Sequence, residues 1–88
     1  MTKVYKISNS ITSKLYIGIT DKELPDRLKE HSSTNETLIG RAIQQYGVLK
    51  FSINLIDLCS TRAEAKKKES EYIHLYNTLD PNGYNEKS

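Results

Sequence analysis

The chain has 88 residues, 36% hydrophobic and 27% charged, with thirteen Lys and Arg against eleven Asp and Glu for a formal net charge of +2. At that length one domain, residues 1–88, is expected, with a small core in which each buried polar side chain is costly. A single cysteine excludes an internal disulfide, no Cys and His spacing suits structural zinc, and a net charge of +2 is too small for a purely electrostatic nucleic-acid binder.

No apolar stretch has the length of a signal peptide or a membrane span, so a soluble chain in a reducing cytoplasm, with no membrane partner, is expected. Residues 3–8 and 15–20 are rich in Val, Tyr, Ile and Thr and flank the polar stretch 9–14, the pattern of a β-hairpin. Alternation puts Tyr5 and Ile7 on one face of the first strand and Tyr16, Gly18 and Thr20 on one face of the second. Asp21 and Pro25 then stand where helix-start residues belong, and Leu24, Leu28, Arg27 and His31 follow helical spacing, which predicts a helix over 24–32.

Residues 32–36 have nothing to bury and read as a loop. A second helix carries Ile39, Ala42, Ile43 and Tyr46 on one stripe and closes on Gly47 as a left-handed cap. Phe51, Ile53 and Leu55 alternate with Ser52 and Asn54 in a third strand that ends near Leu58. Thr61 with Glu64 forms a capping box opening a last helix to about residue 76, and the tail 77–88 is irregular. The expected fold is therefore α/β: a small three-stranded, mainly antiparallel sheet flanked by three helices in the order β-β-α-α-β-α.

Among the side chains, Glu69 is out of place, because it shares the stripe of the last helix with Ala65, Tyr72, Ile73 and Tyr76. A carboxylate there needs a cation, an arginine or water in a cleft. Glu71, on the other side with Lys67, reads as half of a surface ion pair. Arg27 and His31, four residues apart, project together and form a cationic pair only when His31 is protonated. Taken alone, a solvated helix face accounts for them, although an arginine near a carboxylate and tyrosines also suits phosphoryl chemistry. Tyr5 and Tyr16 taken alone read as cross-strand packing, and Gly18 marks either a bulge or a place where something approaches the backbone closely. Lys66, Lys67, Lys68 and His74 read as the solvated side of the last helix, with phosphate contact a secondary reading for the lysines, and Cys59 as a small buried hydrophobe.

Taken together, Tyr5, Tyr16-Ile17-Gly18, Arg27 with His31, the segment 42–47, Phe51, Glu69 four residues before Ile73, and Gly83-Tyr84-Asn85 resemble the GIY-YIG nuclease superfamily over nearly the whole chain, and its phage and homing-endonuclease members most. One departure stands out: Lys3-Val4-Tyr5 replaces the family's Gly-Ile-Tyr and keeps only the tyrosine.

The resemblance implies a metal-dependent DNA endonuclease that hydrolyses phosphodiester bonds. Glu69 would hold one divalent cation, magnesium or else manganese, and Arg27 would neutralise the phosphate. Tyr5 or Tyr16, helped by His31, would orient or deprotonate the attacking water, with Gly18 and Asn85 in support. A free tyrosine is a poor base at neutral pH, so the metal or a nearby cation would have to lower its pKa.

Two other readings stay open: a nuclease-derived module that binds DNA without cutting, and a small interaction protein with no nucleic-acid role. Family members often take specificity from an additional DNA-binding region, for which this length leaves no room. The chain is then the catalytic part of something longer, one half of a homodimer, or a nuclease of little specificity.

Overall fold

The computed structural model describes residues 1–87. The elements are β1 (Thr2–Asn9), β2 (Leu15–Thr20), α1 (Leu24–Ser32), α2 (Leu38–Tyr46), a single 3-10 turn (Val48–Lys50), β3 (Phe51–Cys59) and α3 (Arg62–Tyr76). The sheet has the order β2-β1-β3 and both pairings are antiparallel, so β1 is central and the expected element order is the observed one.

Helices cover both faces of the sheet. On one face Tyr5 and Ile7 of β1 pack against Ile39, Ala42 and Ile43 of α2, with Leu24 and Leu28 of α1 at the margin. On the other, Val4, Ile17, Ile19 and Cys59 pack against Ala65 and Ile73 of α3. Burial on both sides explains why Val4 stands beside Tyr5 in β1 and why β2 runs Leu15-Tyr16-Ile17, in place of strict alternation with polar residues. Cys59 is a buried free thiol, and no helix of the described residues is long and apolar enough to cross a membrane.

Local signals differ from expectation at four places. Asp21 does not start α1: the N-cap is Glu23, which makes no side-chain cap bond, while Asp21 accepts a hydrogen bond from Thr2 Oγ1 at 2.7 Å and pairs with Arg62 at 3.4 Å. The stabilising start residue is Pro25 in the first turn, whose missing N–H costs nothing there. Gly47 takes φ 92° and ψ 138°, a positive-φ turn outside the left-handed helical basin, and leads into the unanticipated 3-10 turn. Glu71 pairs with Lys68 at 4.0 Å, one helical turn back, and not with Lys67. The tail is irregular but pinned, since the Tyr84 N–H donates to the Leu15 carbonyl at 2.9 Å and Tyr84 and Asn85 are both buried.

Candidate active site at the edge of β2

Tyr5 faces Gly18 in the β1–β2 register and is fully buried. A methyl group at position 18 would come within 2.5 Å of Tyr5 Cζ and 2.9 Å of Tyr16 Cε2. The close approach that Gly18 permits is therefore that of the Tyr5 ring, and the irregularity in the sheet lies between Val4 and Tyr5 against β3, not at Gly18.

Arg27 Nε donates to the Tyr5 hydroxyl at 3.1 Å, and the same hydroxyl lies 2.8 Å from His31 Nε2. Arginine has no acceptor, so the phenol oxygen accepts from Arg27, and we assign its own proton to Nε2, with the imidazole proton on Nδ1. His31 is buried, and its ring meets Tyr16 edge-on at 5.1 Å between centroids. This corrects, for His31, the solvated helix face expected from spacing. Burial, and then the charge of Arg27, pull the His31 pKa down to about 4, so the imidazole is neutral at neutral pH.

Burial also raises the phenols of Tyr5 and Tyr16 above the ordinary tyrosine range, with Arg27 opposing the shift at both. The charge of Arg27 alone therefore does not bring either phenol below its ordinary range, because desolvation outweighs it. Both rings are protonated at neutral pH, and the Tyr5 hydroxyl is engaged in hydrogen bonds with Arg27 and His31.

The guanidinium of Arg27 is held from a second side. Its Nη1 donates to Glu30 Oε1 at 3.0 Å, one turn along α1, and Glu30 also takes Lys22. Glu30 was not anticipated as part of the site. Its spacing of three from Arg27 was visible, but its bond to Lys22 depends on how the β2–α1 connection turns.

Glu69 lies on α3, across the sheet from Tyr5, yet it lines one cavity of about 450 Å³ together with Tyr16, Lys66, Ser70, Asn85 and Glu86. Tyr16 starts from one face of the edge strand and Glu69 from the other, and the two meet past the open edge of β2. Among the described residues no ion pair involves Glu69. Half-burial raises its carboxyl pKa, while Lys66 and Arg62 work against the rise.

Asn85 holds this edge. Its amide donates to the Ile17 carbonyl at 2.9 Å and accepts from the Ile17 N–H at 2.8 Å and from Thr78 Oγ1 at 2.7 Å. A side chain thereby stands in for a neighbouring strand, and it is engaged with the backbone.

Lys66 and Lys87 also line the cavity, but neither forms an ion pair with Glu69 among the described residues, and a half-buried carboxylate left so could hold a hard divalent cation. With Glu86 and the Ser70 hydroxyl nearby, the donors are all oxygen. No cluster of three His, Cys, Asp or Glu side chains able to hold a metal occurs among the described residues. Glu69 and Glu86 would therefore supply at most a few ligands to a bound cation and leave its other positions to water.

The polar groups are thus gathered past one sheet edge, with helices on both faces of the sheet. The model of the GIY-YIG catalytic domain matches residues 1–85, and the chain belongs to that family of endonucleases. Among solved structures it is similar to the catalytic domain of homing endonuclease I-TevI, with a TM-score of 0.80, 20% identity and 100% of each chain covered. It is also similar to a mutant of the catalytic domain of intron endonuclease I-TevI, with a TM-score of 0.78 and 22% identity over 97% of this chain and 93% of the other. At these identities the likeness is one of fold. No curated protein sequence matches the chain.

Proposed function

We propose that residues 1–88 form one catalytic unit that hydrolyses phosphodiester bonds in DNA with a divalent cation, magnesium or manganese, held at Glu69. The carrying observation is the half-buried, unpaired Glu69 carboxylate sharing a cavity with Tyr16.

When bound, the ion would supply Lewis-acid stabilisation of the phosphate and the departing oxygen. Arg27 binds the scissile phosphate through the donors left free by Tyr5 and Glu30, and neutralises the charge that grows on its oxygens. Tyr5 is a positioning residue that fixes the fork of Arg27, and neutral His31 fixes the direction of the Tyr5 hydroxyl. Tyr16, which borders the cavity, orients the attacking water by accepting a hydrogen bond at its phenol oxygen and keeps its own proton, while the water's proton passes to a phosphate oxygen or to bulk water. Asn85 holds Tyr16 in place through the backbone of Ile17. The choice of target comes from a second copy of the chain or from a separate DNA-binding region, and the free thiol of Cys59 suits a reducing compartment.

The test is nicking of supercoiled plasmid by pure protein with and without magnesium. Nicking that requires the ion and disappears in Glu69→Gln is the expected result. Salt-sensitive DNA binding with no nicking at any magnesium or manganese concentration would overturn the catalytic reading and mark a DNA-binding domain instead.

A further inference from the structure

Arg62 and Lys66 stand on the same side of α3 as Glu69, at spacings of seven and three residues before it. They also border the openings on either side of the site. Lys66 lines the cavity that holds Glu69 and Tyr16, and Arg62 lines a second cavity of about 270 Å³ with Lys22, Arg27 and Glu30. Arg27 thus reaches one opening and Glu69 the other, with the cationic side of α3 running past both.

From this placement we propose that Arg62 and Lys66 bind phosphates flanking the scissile one, so that the first two turns of α3 form the track along which the cleaved DNA strand lies. The inference rests on the nuclease reading and extends it to how the strand is held.

Three observations support the track. A spacing of four residues on a helix separates the two side chains by about 6 Å along its axis, with both on one face. Both charges reach the site, since Lys66 and Arg62 are the groups that oppose the rise in the Glu69 pKa. Neither cation is committed elsewhere by a strong bond. The Arg62 pair with Asp21, at 3.4 Å, is more than half exposed on both sides and yields readily to a phosphate, and Lys66 takes part in no ion pair among the described residues. Lys67 carries the same charge on the opposite side of α3, so position can be separated from net charge.

The experiment measures binding of a short DNA duplex in EDTA by fluorescence anisotropy, from low to high salt, alongside plasmid nicking by the wild-type protein. The double variant Arg62→Gln, Lys66→Gln is compared with the equally charged control Lys67→Gln, Lys50→Gln. The track predicts that the first pair loses about tenfold in affinity at low salt and that its log-log salt slope falls by about 1.8, roughly 0.9 for each phosphate contact removed. The control pair should follow the wild type. Equal loss in both pairs, or no loss in the first, in a protein that nicks plasmid would overturn the track and leave the nuclease reading standing. Binding that depends on Arg62 and Lys66 in a protein that never nicks would sink catalysis and, with it, the placement of these contacts beside a scissile phosphate, leaving only a DNA-binding face on α3. A protein that binds no DNA would remove both.

Discussion

The ring of Tyr5 occupies the space that any side chain at position 18 would need, because the two residues face each other across the β1–β2 pair. The glycine that the family signature places in β2 thus serves the tyrosine that it places in β1.

Gly18→Ala should move the Tyr5 hydroxyl away from Arg27 and His31. A stability loss of about 1 to 3 kcal/mol is expected from overpacking. The loss of nicking should not add to that of Tyr5→Phe when the two are combined, since both act through one hydroxyl. A double-mutant cycle on nicking rates checks this, and full additivity would place the role of Gly18 elsewhere.

Glu69→Ala should abolish nicking while melting at or above the wild-type temperature, because a half-buried carboxylate without a cationic partner destabilises the fold at neutral pH. Glu71→Ala, which removes only an exposed pair with Lys68, should change neither activity nor melting by much. Gross unfolding of the Glu69→Ala variant would show that the carboxylate is structural.

Arg27→Lys should be nearly as damaging as Arg27→Ala, lowering the nicking rate about a hundredfold or more. A lysine keeps the charge but loses the planar fork, and with it the simultaneous contacts to Tyr5 and Glu30. Single-turnover rates decide the matter; a lysine variant with most of the wild-type rate would reduce Arg27 to an attractor of DNA.

Acid should loosen the fold through His31. Its folded pKa of about 4 lies below the ordinary value of 6.5, so between these limits the unfolded chain binds more protons. The contribution is complete above about pH 6.5 and is lost as pH falls toward 4, amounting to about 3 kcal/mol at most. Glu69, whose pKa is raised, acts in the opposite sense, with stability lost as pH rises through its titration. Thermal melts from pH 7 to pH 4 should therefore show a shallower fall in His31→Gln than in the wild-type protein, and an equal fall would count against a buried neutral His31.

Asn85→Ala should cost about 3 kcal/mol, since it leaves the Ile17 N–H, the Ile17 carbonyl and the Thr78 hydroxyl short of partners inside the protein. Asn85→Asp should be no better, because it sets a carboxylate oxygen against the Ile17 carbonyl. A drop in Tm of about 10 °C or more is the expected reading.

The elements were legible because their periodicities are local: β1 and β2 through runs of β-branched and aromatic residues, α2 through Ile39, Ala42 and Ile43, α3 through the Thr61 cap, whose hydroxyl accepts from the Glu64 N–H at 3.1 Å. The unusual position of Glu69 was legible for the same reason, as a charge on an apolar stripe. The burial of His31 was not, since it is imposed by Tyr5 and Tyr16, which reach it from strands elsewhere in the chain. The role of Asp21 escaped likewise, because its partners Thr2 and Arg62 lie 19 and 41 residues away. Local pattern shows which residues are unusual; only the assembled sheet shows what each one touches.

The clamp of Asn85 on Ile17 spans 68 residues, and Glu69 also lies in the last quarter of the chain. A polypeptide emerging from the ribosome presents Tyr5, Tyr16 and Arg27 long before the segment that completes their surroundings. Until that segment docks, β2 has one bare edge and Tyr16 has no carboxylate beside it. The order of synthesis therefore separates the two halves of the proposed site: a half-made copy holds Arg27 before Glu69 exists.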